Sequence, residues 1–332
     1  MRGGLISEIT ATLRPCDLPG PYDHWDFFEP MAFNDNNKAD AEKADSIPFS
    51  IERPEKLTSP VIFASPHSGR VYPHSFLNAS RLDEKQVRRS EDAFIEELFA
   101  AAPQFGAPLL HAHFPRAYVD ANREAHELDP EMFREPLPEW VNTTSSRVGA
   151  GLGTVARIVA GGAEIYNQRL DVNEVMSRIE ACHRPYHQAL RALIDETMAT
   201  FGCCLLVDCH SMPSLAASGI NDHTQADIIL GDCHGSSCSP DISAIAERTL
   251  RDLGLSVRRN KPYAGGFTTR HYASRESGIQ TLQIEINRAL YMNEMAIERH
   301  QGFERLSARL EVLIARLANI DHSLLLPSMA AE

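Results

Sequence analysis

Two short apolar runs, each leading into a His-Ser pair, constrain the fold of this chain more than any other feature. One begins the segment LLVDCHS at residues 205–211, and the other begins VIFASPHSG at residues 61–69. Continuous apolar runs of this length are typical of strands that are buried on both faces. Ligands of open α/β sheets bind just beyond the carboxyl ends of strands, which is where His67 and His210 stand. We therefore expect both imidazoles to converge on one crevice and to bind a metal, with a nearby carboxylate to orient them.

The rest of the chain alternates strands with helices, which predicts an α/β fold with a mainly parallel or mixed sheet and helices on both faces. Residues 1–50 are broken by prolines and end in a polar, charged run, so we expect a loosely ordered N-terminal extension. Residues 51–325 are predicted to form a single domain. The predicted strands are 61–65, 109–113, 117–120, 204–211, 227–230, 255–258 and 279–286, and the predicted helices are 84–102, 171–201, 241–253 and 294–320. Gly302 is a potential break in the last of these helices.

Three of these elements carry more specific expectations. Asp171 is a candidate N-cap for the second helix, and Pro185 is expected to kink or split that helix. In the strand at 279–286 the apolar and polar residues alternate, so Glu285 should face away from the core. The segment 124–154, rich in Pro, Gly, Ser and Thr, is expected to form an ordered surface loop or lid.

The net charge of −13 argues against nucleic acid or an anionic membrane as the main partner, but arginines could still form a local site for a small anionic substrate. No stretch approaches the roughly 20 apolar residues of a membrane span, and the N-terminus lacks the apolar core of a signal peptide. The seven cysteines form no CxxC pair, which favours free thiols in a reducing compartment. We therefore expect a cytoplasmic protein. Cys209, Cys233 and Cys238 could in principle bind zinc with His210 or His234, but we favour free thiols in a buried strand and in loops.

The carboxylates near the expected crevice are open to two interpretations each. Glu285, on a half-buried strand, either forms an ion pair with Arg288 or Arg270, or serves as a general base beside a metal-bound water. The third metal ligand could be Glu91 or Asp92, because two His and one carboxylate are the usual ligands of a hydrolytic zinc. These two residues point about 100° apart on a helix, so only one of them should face the site.

Other residues offer further possibilities. His111 and His113 share one strand face and could bind a metal, although His67 and His210 are favoured because they follow strands. Arg123 and Arg270 could hold a substrate carboxylate in a bidentate fork, and structural ion pairs explain them about as well. The glycines at 265–266 would allow the backbone to approach a ligand closely.

Seven short motifs, taken together and in order, make the chain resemble the N-formylglutamate amidohydrolase family. Each motif alone has little specificity, but the ordered set covers most of the chain between residues 65 and 291. The matching stretches are SPHSG at 65–69, SED at 90–92, VDANR at 119–123, RPYH at 184–187, DCHS at 208–211, GGFTTRHY at 265–272 and QIEINRALY at 283–291.

The resemblance implies a phosphorylase/hydrolase-like α/β fold related to zinc carboxypeptidases. It also implies metal-dependent cleavage of N-formyl-L-glutamate to formate and L-glutamate, a last step of histidine breakdown. Members of the histidine pathway carry Trp after the motif's Asp, where this chain has Ala93, so another N-acyl amino acid is an alternative substrate.

Carried onto this sequence, the resemblance implies that Zn²⁺, or another divalent metal, is bound by His67, Asp92 and His210. Glu285 would then be the general base that activates a zinc-bound water. We further expect Arg123 or His271 to stabilise the oxyanion. Substrate binding is assigned to Arg270, Asn122 and Gly266. The alternatives are a zinc exopeptidase, a deacylase of another N-acyl amino acid, or a catalytically silent small-molecule binding protein on the same scaffold.

Overall fold

The computed structural model describes residues 47–214, 218–219 and 222–327. Most of the extension predicted over residues 1–50 lies outside the described residues, and the first strand already begins at Phe49. The strands are β1 (Phe49–Glu52), β2 (Val61–Ser65), β3 (Leu109–Ala112), β4 (Cys204–Met212), β5 (Ser218–Gly219), β6 (Asp222–Gln225), β7 (Ile228–Gly231), β8 (Val257–Arg259), β9 (Ile279–Asn287), β10 (Met292–Asn293) and β11 (Glu298–Arg299). The α-helices are α1 (His74–Ala79), α2 (Glu84–Val87), α3 (Ile95–Leu98), α4 (Ser146–Gly149), α5 (Val172–Arg178), α6 (Arg184–Phe201), α7 (Pro240–Asp252), α8 (Phe267–His271) and α9 (Gly302–Ala318).

Seven of the strands form the central sheet, in the order β1-β3-β2-β4-β9-β7-β8. The β3-β2-β4-β9 centre is parallel, whereas β1 pairs antiparallel with β3, and β7 pairs antiparallel with β9. The two apolar runs of the sequence are thus neighbouring strands, with Ala64 of β2 opposite Asp208 of β4. This confirms the predicted mixed, mainly parallel sheet.

Helices cover both faces of the sheet, as predicted. On one face, Ile62 and Leu206 pack with Tyr186 and Leu190 of α6. On the other face, the odd-numbered residues of β2 and β4, such as Leu205, pack in the same core as α7 and α9. Each large apolar side chain that is fully buried in this way contributes about 1.5–3 kcal/mol.

The strand β9 alternates as the sequence predicts. Leu282, Ile284 and Ile286 belong to the core shared with α9, while Gln283 and Glu285 line a cavity on the opposite face. The period of two along the strand therefore determines that Glu285 points away from the helix layer.

The helix predicted over residues 84–102 is instead broken into α2, a 3₁₀ turn at Arg88–Ser90, α3 and a 3₁₀ turn at Ala102–Phe105. Phe94 adopts a left-handed φ of 67°, and Asp92 donates its N–H to the carbonyl of His67. In this interrupted segment the Asp92 side chain is fully buried. Apolar spacing alone does not reveal such a break.

Two further predicted elements are wrong. Residues 117–120 form a turn rather than a strand, because the N–H groups of Tyr118 and Val119 both donate to the carbonyl of Pro115. The last helix begins at Gly302 instead of residue 294. The intervening residues form the β10-β11 hairpin, where the Asn293 side chain accepts backbone hydrogen bonds and Ile297 takes a φ of 56°.

The long helix predicted over residues 171–201 is present with an internal irregularity. Asp171 caps it by accepting hydrogen bonds from the N–H groups of Asn173 and Glu174. A π-helical turn at Ile179–His183 separates α5 from α6, directly before Pro185. The helix is therefore not split at Pro185, and the irregularity takes the form of a wider turn that accommodates the missing proline N–H.

Residues 124–170 contain little regular structure, but they bury side chains of their own, including Leu128, Phe133 and Val155. These residues pack with α5 and with Phe76 of α1, so the predicted surface segment is ordered.

Within the described ranges, no helix is long and apolar enough to cross a membrane.

Candidate metal and substrate site

His67 follows β2 directly, and its imidazole is almost fully buried. Its Nε2 lies 2.6 Å from Oδ1 of Asp120, which binds and orients the ring. Its Nδ1 lies 3.3 Å from Oδ2 of Asp92, yet has no aligned hydrogen-bond partner among the described residues. A buried ring nitrogen without a partner is rare and requires an explanation, such as a ligand that it binds.

His210 lies on β4, and its ring also stands between two carboxylates. Its Nδ1 is 2.9 Å from Oδ2 of Asp92, and its Nε2 is 3.0 Å both from Oδ1 of Asp208 and from the amide nitrogen of Asn122. The ring centroids of His67 and His210 are 4.7 Å apart. Each imidazole therefore directs one nitrogen to its own carboxylate and the other nitrogen toward Asp92.

Asp92, rather than Glu91, is the carboxylate that faces the two imidazoles. Glu91 is turned away, because its oxygens accept hydrogen bonds from Tyr72 and Arg88. The Oδ1 atom of Asp92 accepts a hydrogen bond from Arg288, at 3.0 Å. Burial alone would raise the pKa of Asp92, but the hydrogen bond from His210 and the close approach of His67 hold that pKa well below its usual value.

His67, Asp92 and His210 fit a divalent metal ion. One ligand atom from each lies within 4.8 Å of the others, and within the described part of the chain no second group of His, Cys, Asp and Glu meets this criterion. When a carboxylate accepts from Nε2–H, the Nδ1 lone pair is left to bind a metal, and the ring orientation is set. Two imidazoles and one carboxylate are the ligands of catalytic zinc sites that keep a position open. His111 and His113, and the alternative set with Cys209, Cys233 and Cys238, show no such grouping.

Glu285 faces a cavity of about 330 Å³ that is also lined by His67 and His210. Neither Arg270 nor Arg288 lies within ion-pair distance of Glu285, and Oε1 accepts a hydrogen bond from Gln283 at 2.8 Å. Burial raises the pKa of Glu285 to about 8. A carboxyl group with this pKa exchanges protons readily near neutral pH, which is the property of a general base or acid.

Asn122 and Gly266 also line the cavity, where they contact each other. The Asn122 amide donates to Oδ2 of Asp208 at 3.2 Å, and its carbonyl oxygen accepts from the N–H of Thr268 at 2.8 Å. A Cβ atom on Gly266 would lie 2.4 Å from the amide of Asn122. Glycine is therefore required here by the approach of Asn122, whereas the sequence suggested the approach of a ligand.

Four arginines line the cavity; the sequence indicated Arg123 as a site residue and Arg288 only as an ion-pair partner of Glu285. Arg123 donates from Nε to the carbonyl of Leu152 and from Nη1 to its neighbour's carbonyl, which fixes the guanidinium. Arg116 donates to Oδ2 of Asp120 at 2.8 Å, and so neutralises the carboxylate that orients His67.

The structure does not bring Arg270 and His271 into the cavity. Both lie on the short helix α8, which turns Thr268 and Thr269 inward and leaves Arg270 exposed. The ring of His271 stacks on that of Phe267, with centroids 4.6 Å apart. Because a helix advances about 100° per residue, the residues of α8 that follow the two glycines do not all face the cavity.

Sequence reasoning missed the roles of several residues that the structure places at the site. Asp208 and His210 stand two apart on β4, so a period of two could have placed them on one face. Asp120 belongs to the motif at 119–123, but it follows a turn, where the alternation of a strand does not determine which way a side chain points. Arg116, Arg147 and Tyr263 also line the cavity, and no spacing in the sequence distinguishes them from surface residues.

Comparison with known proteins agrees with this geometry. The sequence profile described as N-formylglutamate amidohydrolase matches residues 59–292 of this chain. An N-formylglutamate deformylase of Pseudomonas aeruginosa is 28% identical over 241 residues, covering 71% of this chain and 84% of the relative. A deformylase of the same name from Pseudomonas putida is 26% identical, covering 71% of this chain and 82% of the relative.

Solved structures show the same likeness. An N-formylglutamate amidohydrolase from Ralstonia eutropha JMP134 is 35% identical and superimposes with a TM-score of 0.77, covering 82% of this chain and 98% of that one. A gene product of Agrobacterium tumefaciens, 18% identical, has a TM-score of 0.59 over 82% of this chain and 96% of that one, and supports the fold alone.

Proposed function

This chain belongs to the N-formylglutamate amidohydrolase family, and on that premise we propose that it hydrolyses N-formyl-L-glutamate to formate and L-glutamate. The observation that carries the proposal is the meeting of His67, Asp92 and His210 at the wall of a cavity that His67, His210 and Glu285 line together. The relatives named deformylase support the choice of a formyl amide.

The proposed metal ligands are Nδ1 of His67, Oδ2 of Asp92 and Nδ1 of His210. We propose Zn²⁺, because two imidazoles and a carboxylate form its usual hydrolytic ligand set. When bound, the ion would lower the pKa of a water molecule and polarise the formyl carbonyl. Asp120 and Asp208 would hold the two rings, and Arg288 would hold Asp92 through its second oxygen.

Glu285 is the proposed general base. Its carboxylate would take a proton from the attacking water and would later deliver a proton to the departing amine nitrogen. Its burial and its raised pKa support this role, because the group can hold or release a proton near neutral pH. Of the two groups considered for the oxyanion, Arg123 lines the cavity and His271 does not, so we assign this role to Arg123.

Substrate binding requires a reassignment relative to the sequence. Arg270 is exposed and does not line the cavity, whereas Asn122 and Gly266 do. We assign Asn122 to substrate positioning, because its amide sits between Asp208 and the N-terminus of α8. Gly266 then acts indirectly, by making room for Asn122.

We also propose that the fold is phosphorylase/hydrolase-like and related to zinc carboxypeptidases. The parallel strands β2 and β4 with metal ligands near their carboxyl ends support this relation. A cytoplasmic role in the last step of histidine breakdown, with a small anionic substrate and no nucleic-acid or membrane partner, is consistent with the net charge of −13.

A formate-release assay tests the proposal directly. Purified protein, stripped of metal and reloaded with Zn²⁺, would be given formyl-, acetyl- and aspartyl-amides of amino acids. Formate release from N-formyl-L-glutamate that depends on the metal is the expected result. Preference for an acetyl or aspartyl amide would indicate the alternative deacylase or exopeptidase. Stoichiometric metal without hydrolysis of any amide would indicate a silent binding protein.

A further inference from the structure

Three of the four arginines that line the cavity already have partners within the protein. Arg116 is paired with Asp120, at 2.8 Å. Arg123 donates to two backbone carbonyls. Arg288 donates to Ser211, to the carbonyl of Arg89 and to Asp92, all at 3.0 Å. Each of these guanidinium groups is therefore already held by other groups of the protein, although N–H donors remain on Arg116 and Arg123.

Arg147 is different. It lies on α4, is only partly exposed and lines the same cavity, but within the described ranges its side chain has no hydrogen bond or ion pair. Its backbone position is well defined, because Ser145 caps α4 through the N–H of Val148 and the carbonyl of Arg147 accepts from Leu152 at 2.8 Å. A guanidinium that faces a cavity without a partner is available for an anion.

The surroundings of Arg147 also favour an anionic group with methylenes. Leu152, Ala156 and Ile158 come from the same segment and line the cavity with apolar surface. Arg116 and Arg123 share the carboxylate of Asp120, whereas the charge of Arg147 has no ion-pair partner among the described residues, and this excess positive charge favours an anion. Burial lowers the pKa of Arg123 to about 10, and the charges of Arg116 and Arg147 act in the same direction.

We propose that Arg147 binds the side-chain carboxylate of the substrate and thereby selects an acidic amino acid over its neutral analogue. The apolar residues of the same segment would contact the two methylenes that join this carboxylate to Cα. This inference rests on the proposed function, since it names the part of the substrate that Arg147 recognises.

The test compares N-formyl-L-glutamate with N-formyl-L-glutamine, which has nearly the same shape and no side-chain charge. Replacing Arg147 by Gln (Arg147→Gln) should lower kcat/KM for formylglutamate about tenfold or more, mainly through KM. The value for formylglutamine should change less than about twofold, because this amide does not use the charge. Arg147→Lys should recover part of the preference.

Arg169→Gln is the matched control, because Arg169 is an exposed arginine of the same segment that does not line the cavity. It should leave the preference for formylglutamate unchanged. An equal preference in wild-type protein and Arg147→Gln would overturn the assignment of Arg147.

Binding of L-glutamate to the zinc-loaded protein, measured by calorimetry, separates this inference from the proposed function. If the wild-type protein cleaves neither formyl amide, the proposed function fails. Weaker binding of L-glutamate to Arg147→Gln than to wild type would still support the carboxylate site. Equal binding, or no binding to the wild-type protein, would contradict it.

Discussion

His210 on β4 and Glu285 on β9 are direct Cα partners in the parallel pairing of the two central strands. Paired residues of neighbouring strands point to the same face of the sheet, so the proposed metal ligand and the proposed base are positioned by backbone hydrogen bonds. Rigid placement on strands is what a precise catalytic geometry requires. The adjacent pair, Asp208 and Gln283, contacts the same two residues, since Asp208 lies beside His210 and Gln283 donates to Glu285.

The first prediction concerns Glu285. Replacing it by Gln (Glu285→Gln) should keep the fold and the metal, but should lower kcat about 10²- to 10⁴-fold, because the amide cannot accept the proton of the attacking water. Turnover and metal content would be measured on the same sample. The control is Glu276→Gln, in an exposed 3₁₀ turn. If the turnover of Glu285→Gln is within about threefold of the wild-type value, Glu285 is not the general base.

The second prediction concerns Asp120, which orients His67 through a 2.6 Å contact. Asp120→Asn should weaken zinc binding about 10- to 100-fold, because the ring loses the carboxylate that sets its tautomer. Zinc affinity would be measured by competition with a chelator. Asp129→Asn, which removes a buried carboxylate paired with Arg157 elsewhere, serves as the control. Equal zinc affinity in Asp120→Asn and wild type would show that the contact does not support a ligand.

The third prediction tests why residue 266 is glycine. Gly266→Ala should displace the amide of Asn122, because the new Cβ would lie 2.4 Å from it. We expect kcat/KM for N-formyl-L-glutamate to fall about tenfold or more, since a small misplacement of a positioning group is costly. In the control Gly149→Ala, the added Cβ meets nothing within 4 Å. If Gly266→Ala is as active as that control, Asn122 is not a positioning residue.

The fourth prediction concerns stability and pH. Burial lowers the pKa of His183 to about 4, and its Nε2 is 2.9 Å from the carbonyl of Arg123. The unfolded state binds a proton below about pH 6.5, whereas the folded state remains neutral until about pH 4. Stability is therefore complete above pH 6.5 and falls as the pH drops through this range, by about 1.4 kcal/mol per pH unit.

Denaturant unfolding at pH 7 and pH 5 would measure this effect. His183→Gln removes the titrating group, so its loss of unfolding free energy between the two pH values should be about 2 kcal/mol smaller than in wild type. His74→Gln, at an exposed position, should behave as wild type. Equal losses in wild type and His183→Gln would contradict the buried neutral state of this histidine.

The parts of the fold and site that the sequence predicted are those governed by strand periodicity. The buried runs before His67 and His210, and the alternation around Glu285, each depend on a period of two that a sheet enforces. The choice between Glu91 and Asp92 could not be made in this way. It depends on a break in the helix at Phe94 and on the ion pair of Glu91 with Arg88, which are tertiary features.

The arginines illustrate the other limit of the sequence. Arg270 follows two glycines and was expected at the substrate, but the direction of a short helix decides which of its residues face the cavity. Arg147 lies in a segment with little regular structure, where no period relates sequence position to direction. Its place at the cavity follows only from the packing of residues 124–170 around their own core.

The central claim is that His67, Asp92 and His210 bind one metal ion together, and the zinc content of wild-type protein and His210→Ala tests it most directly. Elemental analysis after equilibration with Zn²⁺ and removal of excess should give about one zinc per wild-type chain and well below one per His210→Ala chain. His234→Ala, at an exposed position, should retain the wild-type content. Stoichiometric zinc in His210→Ala would contradict the site and the mechanism built on it.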